Sequence, residues 1–334
     1  MKKPSIAVLG TGRIGKMHAE LIARQVPGLD LAAVYDLFSE SAEAVASDLG
    51  VDMAATADDV FASDVDAVAI CSSTDTHVDL MMAAAESGKA IFLEKPVSLS
   101  LAEVDRGLAA VEAAGVPLQI GFNRRFDAAH AAVQQAVASG QVGDLHLLRI
   151  ASRDPAPPPI EYLEVSGGIF LDMTIHDFDM ARFVTGSEVV EVYAKADVRI
   201  DPAIGAAGDV DTAVIMCTHE NGVITTIDNS RQAVYGYDQR VEAFGSGGMA
   251  VSENPRNHTA EVHAPSGTTL ATIPYFFLER YIPSYLAEWS GFVDGLESGR
   301  MPVTGADGRA PLVIGLAAWQ SVREGRPVRT EEIG

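Results

Sequence analysis

A five-residue apolar run, SIAVL, passes straight into Gly10-Thr11-Gly12-Arg13-Ile14-Gly15 and then into GKMHAELIARQV, whose apolar residues recur at helical spacing. Strand, glycine turn and helix in that order constrain the fold more than any other stretch of the chain. Glycines at the first, third and sixth positions of such a turn let the chain reverse tightly, bring its backbone close to a ligand, and pack helix against strand. The N–H groups at the helix start favour an anion. The pattern predicts a βαβ unit that holds a pyrophosphate, with Gly10, Gly12, Arg13, Ile14 and Gly15 at the ligand.

The next hundred residues extend that unit. LAAVYD, DAVAIC, AIFLEKP and PLQIGF are short apolar runs separated by helical stretches such as THVDLMMAAAESG and SLAEVDRGLAAVEAAG. Alternation of this kind specifies a parallel sheet wound by helices. Ser100 and Glu103 have capping-box spacing, and Gly88 and Gly115 are placed to stop helices. Asp36 ends the second run, 21 residues after Gly15, where an acid hydrogen-bonds a ribose 2′-hydroxyl and repels a 2′-phosphate. No arginine follows in Leu37-Phe38, so NAD is expected over NADP. Residues just after the strands of an open α/β sheet line its ligand cleft, which adds Ser72, Ser73, Thr74, His77, Glu94 and Lys95 to the expected cofactor contacts.

After residue 122 the rhythm changes to longer alternating runs joined by turns. Asn221-Gly222 between two of them is a strong hairpin signal, and EVVEVYAKADVRI, QRVEAFGSGGMAVS and AEVHAPSGTTLATI read the same way. A Rossmann doubly wound parallel sheet over 1–122 is therefore expected to precede a second domain over 123–334, α+β, built on a large open mostly antiparallel sheet. Its Pro-rich stretch RDPAPPPIEY is long for a compact domain, as functional loops are. Two helices, SYLAEWSGFVDGLESG and APLVIGLAAWQSVREG, close the chain and are able to pack back on the first domain.

Inside the second domain, IFLDMTIHDFD sets acids and a histidine among large apolar side chains. At about 100° per residue, a continuous helix puts Asp172, His176 and Asp179 on one stripe within the apolar arc. Acids at a helix start account for Asp172 alone; buried carboxylates need partners, so the whole stripe implies an internal network or a cavity wall. Asp177 points away from it. Lys95 is one of six lysines and sits at the carboxyl edge of a strand, before Pro96. A lysine there serves chemistry or merely ends a strand in solvent. Arg124-Arg125, flanked by Phe122 and Phe126, is an anion or hydroxyl clamp, a partner for carboxylates on a neighbouring helix, or a structural joint. Tyr235-Gly236-Tyr237-Asp238 is a polyol wall or a strand end.

Charge narrows the partners. With 24 basic against 46 acidic residues the net charge is −22, which repels nucleic acid and anionic membranes. Cys71 and Cys217 lie far apart with no metal-ligand spacing, so no disulfide framework and no metal site is expected, and a reducing cytoplasm fits. No run reaches the ~18 apolar residues of a membrane span.

At Gly10–His18, Glu94-Lys95-Pro96 and GGIFLDMTIHDFDMARF the chain resembles the glucose–fructose oxidoreductase, inositol dehydrogenase and MocA-like family over essentially its whole length. GFNRRFD, SRDPAPPP, DMTIHDFD and YGYD are most similar to its inositol 2-dehydrogenases. The resemblance implies NAD-dependent oxidation of a secondary ring hydroxyl of a neutral cyclic polyol, myo-inositol first, with another inositol isomer or an aldose as the near alternative. A non-catalytic NAD sensor or repressor on the same fold would lack the lysine or the histidine. By the same resemblance Lys95, Asp172 and His176 form the catalytic group: the lysine contacts the reacting hydroxyl, the histidine removes its proton, and the aspartate orients the histidine. Arg125, Asp154, Asp179, Tyr235 and Tyr237 are expected beside them as substrate contacts, and the outer face of the second sheet is expected to build a homodimer or tetramer. Some relatives carry histidine and asparagine where this chain has Ser152 and Asp154.

Overall fold

The computed structural model describes residues 3–334. They divide into two compact units, residues 3–123 with 285–310, and residues 124–284 with 311–334. The first sheet contains β1 (Ser5–Leu9), β2 (Asp30–Tyr35), β3 (Asp52–Met53), β4 (Ala67–Ile70), β5 (Ala90–Glu94) and β6 (Leu118–Gly121). Its order is β3-β2-β1-β4-β5-β6, parallel throughout. That order reverses between β1 and β4, the switch point at which such sheets bind ligands. The connections are α1 (Arg13–Gln25), α2 (Ser39–Leu49), α3 (Ala57–Ala62), α4 (His77–Glu86) and α5 (Leu101–Ala114). Strands β1, β4 and β5 are almost wholly buried, which is why they read as unbroken apolar runs and not as alternating ones.

The second unit is built on seven strands: β7 (Leu145–Arg153), β8 (Val189–Asp197), β9 (Thr212–His219), β10 (Ile224–Ser230), β11 (Asp238–Gly245), β12 (Gly248–Ser252) and β15 (Val328–Arg329). A separate hairpin, β13 (Glu261–Ala264) with β14 (Gly267–Leu270), is exposed along its whole length. The sheet order is β12-β11-β7-β10-β9-β8-β15, and only the β7–β10 pair is parallel. The Asn221-Gly222 turn joins β9 to β10, with Gly222 at φ +85°. Helices α6 (Ala128–Ala138), α7 (Ile160–Ser166), α8 (Gly168–Asp172), α9 (Ile175–Thr185) and α10 (Pro202–Ala206) belong to this unit. One sheet face is the core, where Leu148, Ile150, Ile215, Ile227 and Val241 meet Phe170 and Phe178. The long helices α11 (Phe277–Ser298) and α12 (Gly305–Glu324) each contain a division between the units, next to Pro283 and Pro311. The first unit thus takes up residues 285–310 in addition to the stretch before residue 123.

Two local features differ from the sequence expectation. The segment 168–185 is not one helix: α8 ends at Asp172 and α9 starts at Ile175. Thr174, at the break, uses its hydroxyl on Ile169 O and Asn229 Oδ1, a side-chain competitor for helix continuation. The Pro-rich loop ends early, because Pro159 caps a short helix, α7.

Candidate active site

In the first unit, the glycine turn fits a dinucleotide. Gly10 has φ +92°, and a Cβ there would lie 2.5 Å from Ser72 N; a Cβ on Gly15 would lie 1.8 Å from Gly10 O. Only glycine permits that closeness of α1 to the strand ends. A Cβ on Gly12 would meet nothing within 4 Å, and α1 starts there without a side-chain cap, so the helix start is open toward an anion. Asp36 Oδ2 accepts from Thr11 N at 2.6 Å and Thr11 Oγ1 at 3.0 Å, while Oδ1 accepts from Phe38 N at 2.9 Å. The acid is therefore fixed at the end of β2, against the turn.

Between Lys89 and Val97 every residue is buried except Lys95. Glu94, just before it, accepts the Lys95 N–H at 3.1 Å on Oε2 and faces His18 Nε2 at 2.8 Å on Oε1. Trp289 Nε1 donates to His18 Nδ1 at 3.0 Å, so the ring proton of His18 sits on Nε2 and points at Glu94. This chain of bonds links the first helix, the Glu-Lys-Pro turn and α11, and the sequence reading did not contain it. The Lys95–Pro96 bond is cis. His77 is 1% exposed, and its Nδ1 and Nε2 face Pro96 O at 2.8 Å and Ser72 O at 3.1 Å. It ties two strand-end turns together instead of offering a surface to the cofactor, and burial lowers its pKa.

In the second unit, the stretch from Gly168 to Ala181 is buried except for Asp172 and His176. Tyr162 of α7 donates its hydroxyl to Asp172 Oδ1 at 2.8 Å, and Arg231 Nη1 lies 3.8 Å from Oδ2. Asp154 follows β7, its carboxyl pushed up to about 6 by burial; Arg231 and Arg124 pull it down, Asp172 and Asp177 push it up. Asp177, expected to stand apart, is fully buried: its Oδ1 accepts from Arg124 at 2.7 Å and its Oδ2 from Asn229 at 2.8 Å. Asp179 is 1% exposed and receives Arg125 Nε at 2.8 Å and Nη2 at 2.6 Å. The adjacent arginines thus satisfy carboxylates on α9, one of the alternatives the sequence left open. Tyr237, 7% exposed, accepts from Arg124 Nη2 at 3.3 Å, whereas Tyr235, half exposed, donates to Asp238 Oδ2 at 2.6 Å. Tyr162, Asp209 and Arg231 had no place in the sequence expectations; each is a lone polar residue without a local pattern.

Fold and site together describe a nucleotide-binding unit of the oxidoreductase type and a second unit that carries a polar, half-buried patch. The chain belongs to the Gfo/Idh/MocA oxidoreductase family: residues 5–122 match the family's NAD-binding Rossmann fold and residues 130–251 its C-terminal domain. NAD is the cofactor of the first unit. A myo-inositol 2-dehydrogenase of Thermotoga maritima is 48% identical, over 98% of this chain and 99% of that protein. The crystal structure of a myo-inositol dehydrogenase from Corynebacterium glutamicum superposes with a TM-score of 0.94 at 40% identity, over 98% and 99% of the two chains. A scyllo-inositol dehydrogenase from Lactobacillus casei, solved with NAD(H) and scyllo-inositol, gives 0.92 at 28% identity, over 99% and 100%.

Proposed function

We propose that the protein oxidises a secondary ring hydroxyl of a cyclic polyol, converting myo-inositol to its 2-keto form. The observation that carries this reading is partial exposure: Lys95, Asp172 and His176, the residues assigned to proton transfer by family resemblance, are the only half-buried positions in two otherwise buried stretches. In this reading His176, whose side chain ordinarily titrates near neutrality, takes the hydroxyl proton. Asp172 orients its ring, and Lys95 hydrogen-bonds the reacting oxygen. When bound, NAD supplies the acceptor for the carbon-bound hydride. Arg125, Asp154 and Tyr237 serve the remaining hydroxyls. A neutral polyol suits a chain of net charge −22, since no electrostatic steering is needed. The scyllo-inositol relative supports a second reading, in which another isomer is preferred.

Purified protein with NAD and a panel of inositol isomers and aldoses tests this. NADH formation is expected to be fastest with myo-inositol, and Lys95→Ala should lose most turnover while keeping NAD affinity. No absorbance change with any polyol, alongside tight NAD binding, would favour a sensor.

We also propose a homo-oligomer built through the second sheet. Met249, Phe244, Leu147 and Ile224 stand at one level on β12, β11, β7 and β10, all exposed. With Val214 and Met216 of β9, also exposed, they make a contiguous apolar strip of the kind that marks an association surface. The assembly is assigned to the cytoplasm, in keeping with two unpaired cysteines; no helix is long and apolar enough to cross a membrane among the described residues.

A further inference from the structure

Asp172 is the last residue of α8, and both of its carboxylate oxygens face side chains from other elements. One of these, Arg231, follows β10 and is 1% exposed. Its Nη2 donates to Asp209 Oδ2 at 3.1 Å, its Nη1 lies 3.8 Å from Asp172 Oδ2, and its Nε has no hydrogen-bond partner among the described residues. The guanidinium is therefore not closed into a single bidentate pair; its charge is shared. Asp209 is the fixed end, 5% exposed, with Oδ1 accepting the Ile169 N–H at 2.9 Å. Gly168 permits this approach, since a Cβ there would lie 2.6 Å from Asp209 Oδ1. Asp209 thus grips the first turn of α8 and, through Arg231, reaches the carboxylate at the end of the same helix.

We propose that Arg231, anchored by Asp209, is the positioning residue of the reaction: it holds the Asp172 carboxylate in place, keeps a cation beside it, and so sets the pH at which the site becomes active. This rests on Asp172 being the residue that orients His176. The groups facing the cluster are Tyr162 from α7, Asp154 after β7, Asp209 after α10, and, around Asp154, Arg124 and Asp177. Four carboxyl groups surround two guanidinium groups. Burial pushes the Asp154 carboxyl up to about 6, with Asp172 and Asp177 adding to the rise and the two arginines opposing it. In a cluster short of cations, loss of one is felt directly by its nearest carboxylates.

The pH profile of kcat for myo-inositol oxidation, with NAD saturating, tests the proposal. Arg231→Met should move the acid limb upward by about one pH unit or more. Asp209→Asn, which removes a competing acid from the arginine, should move it downward. Arg231→Lys, which keeps a cation, should return the limb toward that of the unaltered protein. A merely structural arginine would lower activity in all three with the limb unmoved, and that result overturns the proposal. Should Arg231→Met fail to fold, Asp209→Asn decides, because the absence of a downward shift is equally fatal. Asp172→Asn separates the two layers of argument. Full turnover in that variant overturns this proposal together with the reading beneath it; lost turnover with unmoved limbs in the other variants overturns this one alone. The same shifts are readable without turnover in pH-difference infrared spectra of the carboxyl groups.

Discussion

We assign two tasks to the Asp36 carboxylate. It fixes Thr11 in the glycine turn, and in this fold the same position recognises the ribose 2′-hydroxyl. Asp36→Ser should therefore both weaken NAD binding and relax the preference over NADP. A hydrogen bond to a charged group contributes about 1.5–3 kcal/mol, so the ratio of kcat/KM for the two cofactors should fall about ten- to hundred-fold; an unchanged ratio would remove the ribose assignment. At this scale the sequence was readable where a residue type has a local reason. Gly10, Gly15 and Asp36 follow a strand–turn–helix pattern. Arg231, Asp209 and Tyr162 meet Asp172 only through the tertiary fold, and nothing next to them in the chain announces it.

Helix α11 was readable as a helix, but not what its inner side would hold. Glu288 is fully buried, and neither carboxylate oxygen has a hydrogen-bond partner among the described residues. Burial first, and then Glu94, raise its pKa well above the ordinary value. The folded protein therefore keeps this proton at pH values where the unfolded chain has released it, so stability falls as pH rises above the usual glutamate range. Glu288→Gln should abolish that fall. Its melting temperature should match the parent's in acid and exceed it increasingly toward alkaline pH, by on the order of 1–3 kcal/mol in stability; parallel melting curves across pH would contradict this. The break between α8 and α9 was equally hidden, because Thr174 is an ordinary helical residue until Asn229 is placed beside it. An unbroken helix would put Asp172 and His176 one turn apart on one face; the break leaves Asp172 at the end of α8 and His176 in the first turn of α9.

For the whole molecule, alternation along β7, β9, β10 and β11 told which residues point inward, but an apolar outer row has the same pattern as a second core. Phe244→Glu tests what that row is for. It should shift the protein to a smaller species in sedimentation while NAD binding survives; an unchanged sedimentation coefficient would exclude the strip as an interface. The division into parallel and antiparallel halves was plain in the rhythm of the chain, whereas the return of residues 285–310 to the first unit was not, since helix periodicity does not say which sheet a helix covers. That return has a consequence for the order of events during synthesis. Trp289 and Phe292, both fully buried, complete the core around Phe92, Ile6 and Val8. The unit that leaves the ribosome first is thus finished nearly last. At about 5–20 residues per second, its sheet waits on the order of ten seconds for the tryptophan that stacks on Phe92. Over that interval the nascent chain presents an incomplete apolar surface, a natural target for the chaperones that attend translation.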